Sequence, residues 1–165
     1  MSEYRFGKLY KYVSSECHHA DVLVSNGKHI YEFEVKISKS DLKKELTCDS
    51  KIKKHKFYKG ELKKYRQYIR PNRFYYVVPY SMLDSKDKRA EIIEIINTVN
   101  PDYGLIAVYD NKFIQNIRLA KMLHNIKVKP CFLEKIVARV SSENIGLKKK
   151  IYEYKLEKHN KKDTD

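Results

Sequence analysis

The chain has 165 residues, 42% of them apolar, which suits one ordinary globular domain with a real core and excludes a disordered polymer. Thirty-five Lys and Arg oppose 21 Asp and Glu, a formal charge of +14; such a surplus repels itself unless a polyanion is the partner, so nucleic acid is expected and an anionic membrane surface comes second. No apolar run approaches the roughly 20 residues of a bilayer span and no hydrophobic stretch follows Met1, so the chain is expected to be soluble, unprocessed and off the membrane.

In chain order, residues 4–13 can form a short helix weakened by Gly7. Residues 20–25 (ADVLVS) run into Asn26-Gly27, a strong hairpin signal. From Lys28 to Ile37 the chain alternates: Tyr31, Phe33, Val35 and Ile37 take one face, Glu32, Glu34 and Lys36 the other. Ser38 and Asp41 match a capping box, so a helix opens there. Lys51 to Arg70 is helical in pattern, strongly basic, and stopped by Pro71.

Residues 73–80 (RFYYVVPY) read as a buried strand, and Ser85 can cap a helix running to residue 99 with Ile92, Ile93, Ile96 and Val99 along one side. Pro101 closes it; residues 104–109 are another buried strand, Asp110-Asn111-Lys112 a turn, and residues 113–119 the returning edge strand. Pro130 starts a helix to about Val140, and residues 144–158 form a charged last helix before a frayed tail. Strands alternating with helices after an opening hairpin predict an α/β domain: a mixed central sheet with helices on both faces and a helical C-terminus. Residues 1–142 are expected to be its core and 143–165 a basic extension of it.

The three cysteines, Cys17, Cys48 and Cys131, form no CxxC pair and cannot all pair within the chain. That fits a reducing, intracellular and cytoplasmic setting, with each cysteine a small buried hydrophobe.

The stretch from Asp21 to Lys36 carries the chemistry. Residues directly opposite on one face of a hairpin lie about 5 Å apart, so Asp21 on the first arm and Glu34 on the second can converge. Lys36, two residues beyond Glu34, points the same way. Two carboxylates plus a backbone carbonyl make a hard oxygen site suited to Mg²⁺. A nearby ammonium orients the attacking water and stabilises charge developing on the phosphorane. The competing reading is a wet strand face whose charges pair across the hairpin.

Asp21 followed by Glu34-Val35-Lys36 resembles the D…(D/E)xK signature of the PD-(D/E)xK nuclease superfamily. Downstream come Ser40-Asp41-Leu42, Lys54-His55 with Tyr58, FYYVVP at 74–79 and PDYGLIAVY at 101–109, an order similar to the MmcB-like DNA-repair group and related phage proteins. The resemblance covers roughly residues 15 to 125. Ala20 stands where the namesake proline often sits, and Glu45 to Lys53 looks like an insertion.

The resemblance implies a restriction-endonuclease-like fold and a Mg²⁺- or Mn²⁺-dependent (endo)deoxyribonuclease in a bacterial, phage or viral setting. Asp21, Glu34 and the Val35 carbonyl would hold metal, with Lys36 at the water. A nuclease fold that binds nucleic acid or a protein without cutting is the alternative. Glu32 shares the face but has no lysine two residues on, so it is expected beside the ligand set, not in it; Glu16 is either an extra acid of the site or a surface residue. Cys17-His18-His19 alternates in direction along a strand, and its histidines read as exposed or phosphate-contacting. Asp41 reads as a helix cap.

The Lys54-His55 helix borders the active site in the resembling family, making both residues candidate phosphate contacts, with a solvated basic helix and an inward Tyr58 as the other reading. Between Lys51 and Arg73 ten Lys and Arg face one acid, Glu61. Lys56, Lys63, Lys64 and Arg66 are the further candidates there for nucleic-acid phosphates, with aromatics interleaved for unpaired bases. A second run, Lys148 to Lys162, carries seven lysines and is either a backbone grip or a soluble tail.

Overall fold

The computed structural model describes residues 12–17, 20–65, 69–111 and 113–134. The chain divides into two units, Met1–Val128 and Lys129–Asp165. In the second unit the described residues include a helical turn at 130–134, where Pro130 was expected to start a helix. The last helix, the tail and the second lysine run lie outside the described residues, as do His18, His19 and Arg66.

The first unit carries a six-stranded sheet in the order β1-β2-β3-β4-β5-β6. Its strands are β1 (Tyr12–Cys17), β2 (Ala20–Ser25), β3 (Ile30–Val35), β4 (Arg73–Pro79), β5 (Gly104–Val108) and β6 (Ile114–Arg118). The central pairs β3–β4 and β4–β5 are parallel and the others antiparallel, so the sheet is mixed as expected. Asn26-Gly27 makes the β2–β3 hairpin: the Asn26 side chain accepts from the amides of Lys28 and His29, and Gly27 takes a φ of 90°.

β1 corrects the helix expected over 4–13, at least for residues 12 and 13, which are strand. Val13 and the two serines after it are poor helix formers, and β2 otherwise presents an unpaired edge.

Among the described residues three α-helices cover the sheet: α1 (Lys39–Thr47), α2 (Asp49–Lys59) and α3 (Lys86–Val99). Ser38 caps α1 by accepting from the Asp41 amide, and Ser85 caps α3 by accepting from Lys88, both as their positions predict. Helix α2 does not continue to Arg70. Gly60 ends it in the left-handed region at φ 85°, and Arg70 Nε donates to the freed Tyr58 carbonyl at 2.6 Å.

All three helices contribute to one core, with Leu42, Tyr58, Ile92, Ile95, Ile96 and Val99 packed on Phe74, Tyr76, Val78, Leu105 and Ala107. The opposite face buries Val24, Phe33, Tyr75 and Ile106, with Phe33 and Tyr75 stacked at 5.2 Å. Helices were expected on both faces; the described ones share one. Two parallel crossovers that step the same way across a sheet, with the usual hand, leave their helices on the same side.

No helix among the described residues is long and apolar enough to cross a membrane. Cys48 and Cys131 are free and exposed, not buried as expected: Cys48 falls in the junction between α1 and α2, with its thiol at the Ser50 hydroxyl 3.2 Å away.

Candidate active site

The alternation of β3 reappears in the structure, but its charged face is buried as well as the apolar face around Phe33, and exposure falls on Val35 and Ile37 at the strand's end. Glu32, Glu34 and Lys36 are 2%, 3% and 4% exposed, whereas Val35 is 40% and Ile37 77% exposed. The charged face is the one that α1 and α2 cover, in register with Phe74 and Tyr76 of β4. A wet strand face is therefore excluded. These charges are inside the protein and must be paired there.

They are paired with one another. Lys36 Nζ lies 3.0 Å from Glu34 Oε1 and 2.6 Å from Glu45 Oε1. Lys51 reaches Glu34 Oε1 at 2.5 Å and Glu45 Oε1 at 3.5 Å. Lys54 bridges Glu34 Oε2 and Glu32 Oε1, each at 2.8 Å. Tyr58 donates to Glu32 Oε2 at 2.6 Å, and His55 Nε2 meets Glu45 Oε2 at 2.6 Å. Three carboxylates thus interleave with three ammonium groups, and of the three lysines only Lys51, 29% exposed at its side chain, has access to solvent.

The network moves its members' proton affinities. Burial pushes Glu34 up, but Lys54, Lys51 and Lys36 together hold it far below the ordinary carboxylate range. Burial likewise opposes ionisation of Glu45, which the bonds from His55 and Lys36 bring down to about 2. Burial pushes the fully enclosed Glu32 up against the pull of Lys54. Burial also lowers His55, against the pull of Glu45, and keeps it neutral at pH 7.

Glu34 and Glu45 therefore add stability that is fully present above their ordinary value of 4.5 and drains away as pH falls through their folded values. Melting curves from pH 7 down to about pH 2.5 should show a loss of stability starting below about pH 4.5, and Glu45→Gln should shallow it. A parent and variant with the same pH slope would show that this network is not what acid destroys.

The other expected site residues fall apart into distinct roles. Asp21 sits one step beyond the Val22–Phe33 pair, at the position facing Glu34, yet it is exposed and its Oδ2 accepts from the Val35 amide at 2.7 Å. It therefore grips the backbone beside the cluster without joining it. Glu16 lies on β1, and its side chain is outside the described residues. Asp41 takes part in the α1 N-terminus and reaches Lys44 at 3.5 Å.

Lys54 and His55 are buried at 0% and 4% exposure, which corrects the expectation that they meet phosphate; they point into the sheet because α2 lays that side on Phe74. Tyr58 packs inward as the other reading had it. Lys56, Lys63 and Lys64 are exposed.

Glu45 and Lys51 were missed. Both lie in the stretch that looked like an insertion, and both had a signal: Glu45 comes three residues after buried Leu42, and Lys51 falls with Lys54, His55 and Tyr58 on one helical stripe.

A divalent cation tests this donor set. Among the described residues no three His, Cys, Asp or Glu side chains stand together as a ready-made metal site, because the carboxylates face ammonium groups. Glu34 and Asp21 are oxygen donors of the kind a hard cation takes, but Glu34 is held by Lys36, Lys51 and Lys54 and Asp21 Oδ2 by the Val35 amide, so a cation would have to displace these partners. Lys51, 29% exposed at its side chain, is the most accessible of them.

No protein-family model matches the chain, and no curated protein or solved structure matches it either.

Proposed function

We propose that this chain is a metal-dependent nuclease of the PD-(D/E)xK type, hydrolysing phosphodiester bonds of nucleic acid, and DNA on the strength of the family resemblance. The observation that carries the reading is the Glu34–Lys36 pair, 3.0 Å apart on one buried strand face with Asp21 at the neighbouring strand end. Glu34, Asp21 and the Val35 carbonyl would hold Mg²⁺ or Mn²⁺, which polarises the phosphoryl group and lowers the pKa of a bound water. Lys36 holds a charged ammonium where it can orient that water and meet the negative charge that develops. Free thiols at Cys48 and Cys131 support an intracellular, cytoplasmic setting for this activity.

One observation favours a second reading, a nuclease fold that binds without cutting. Glu32, Glu34 and Glu45 are balanced by Lys36, Lys51 and Lys54, so the cluster is electrically complete with no added cation. Cleavage of labelled single-stranded, duplex and branched DNA, with Mn²⁺ and with chelator, decides between them. The nuclease reading expects metal-dependent products; binding without any product in all substrates supports the second.

Both readings require a phosphate track, and the exposed lysines of α2 and of the segment that follows it are its best members. In α1, by contrast, Lys39 and Lys43 are engaged by Glu91, and Lys44 by Asp41. Replacing Lys56, Lys59, Lys63 and Lys64 with Gln should weaken binding and lower the slope of log affinity against log salt by about 0.7 to 0.9 per lost contact. Unchanged affinity and slope would make this face merely solvated.

A further inference from the structure

We infer that Glu45 is a positioning residue for Lys36, fixing the direction of its ammonium through a chain that ends on Tyr103. The inference rests on the nuclease reading for the chemistry that Lys36 performs. Lys36 Nζ has two carboxylate partners, and they are not equivalent. Glu34, on the same strand, shares Oε1 between Lys36 and Lys51 and gives Oε2 to Lys54. Glu45 arrives from α1, comes closer to Lys36 at 2.6 Å, and is itself held from behind.

That support is directional. Glu45 Oε2 is 2.6 Å from His55 Nε2, and His55 Nδ1 is 2.9 Å from the Tyr103 hydroxyl. An ionised carboxylate only accepts, so Nε2 carries the proton and donates it to Glu45; Nδ1 of the neutral ring then accepts from Tyr103. Every link is buried, so water does not compete for any of them. Ring contacts to Phe74 at 5.7 Å and Tyr76 at 6.4 Å fix the imidazole plane.

The reaction gives this arrangement its purpose. Lysine is flexible, carrying about 2 kcal/mol of rotamer entropy, and an ammonium that must orient water works only when its position is set beforehand. If Glu34 turns its Oε1 to a cation, its hold on Lys36 is weakened by sharing, while Glu45, which holds no cation in this reading, keeps its place against the ammonium. Asp21 cannot take over, because its bond goes to the Val35 amide.

Two measurements test the role. In Mn²⁺-dependent cleavage, Glu45→Gln should lower kcat about 10- to 100-fold, as loss of an orienting partner does elsewhere, with KM unchanged and part of the rate restored in Glu45→Asp. Without metal or substrate, brief acetylation with acetic anhydride, read by mass spectrometry, should label Lys36 about tenfold faster in Glu45→Gln, because its closest buried ion pair is lost. Lys54 should keep its parental labelling, since Glu32 and Glu34 still hold it. Parallel rises at Lys36 and Lys54 would mean general loosening and overturn the positioning role; so would unchanged labelling of Lys36, or a KM effect alone. Should Glu45→Gln not fold, Tyr103→Phe carries the same comparison with a smaller effect of the same sign. A parent that cleaves nothing would defeat the nuclease reading, while the labelling ratio would still decide whether Glu45 fixes Lys36.

Discussion

Lys36→Met should give a folded protein that binds nucleic acid like the parent and cleaves it about a hundred- to a thousandfold more slowly, the usual loss when one preorganised charge-stabilising group is removed. Met keeps the length of the side chain and removes the ammonium. Its neighbours tolerate the change: Glu34 keeps Lys51 and Lys54, and Glu45 keeps Lys51 and His55. Glu34→Gln should be as slow, because it removes the carboxylate placed to hold metal. An alanine at 34 is the poorer probe, since it leaves three ammonium groups around an empty space. Glu32→Gln should retain more activity than either, its carboxylate being spent on Lys54 and Tyr58. Single-turnover cleavage with Mn²⁺, alongside melting curves, separates chemistry from folding. Parental rates in both Lys36→Met and Glu34→Gln, with contaminating nuclease excluded, would remove the pair from any active site.

Lys54→Met should destabilise the protein by about 3 to 5 kcal/mol, the cost of breaking a buried ion pair from one side. Lys54 is fully enclosed, bridges Glu32 and Glu34, and lies 5.4 Å from the Phe74 ring centre. Burial opposes its charge, but the two carboxylates raise its pKa well above the ordinary lysine value, so it stays charged across the range in which the protein is folded. Without it, two buried carboxylates lose their shared counterion. At roughly 2 to 4 °C per kcal/mol for a domain of this size, the melting point should fall by about 6 to 20 °C. Exposed Lys56→Met should change it by no more than about 0.5 kcal/mol. A phosphate-binding Lys54 would behave in the opposite way, with weaker nucleic-acid binding and an unmoved melting point. Denaturant titration of the two variants distinguishes the cases.

Features governed by neighbours in the chain were readable from the amino acids alone. Asn26-Gly27 specifies its hairpin, Ser38 and Ser85 cap their helices, and Pro101 stops α3, because each acts on amides or dihedrals within a few residues. The same holds for the shared face of Glu32, Glu34 and Lys36, which follows from the two-residue period of a strand. Gly60 could have been read as a helix end, but the basic run continuing past it looked helical, and it was the left-handed turn there, braced by Arg70, that ended α2.

Whether the charged face of β3 stays wet was not a local property. Alternation tells which side chains point together; it does not tell what comes to lie on them. That was decided by α1 and α2, whose Glu45, Lys51, Lys54 and Tyr58 arrive from 9 to 26 residues away and supply partners for charges that would otherwise have stayed in water. The same docking turned Lys54 and His55 from an exposed basic helix into interior groups. A lysine has the same charge in either place, and only the carboxylates the fold brings within about 3 Å make burial affordable.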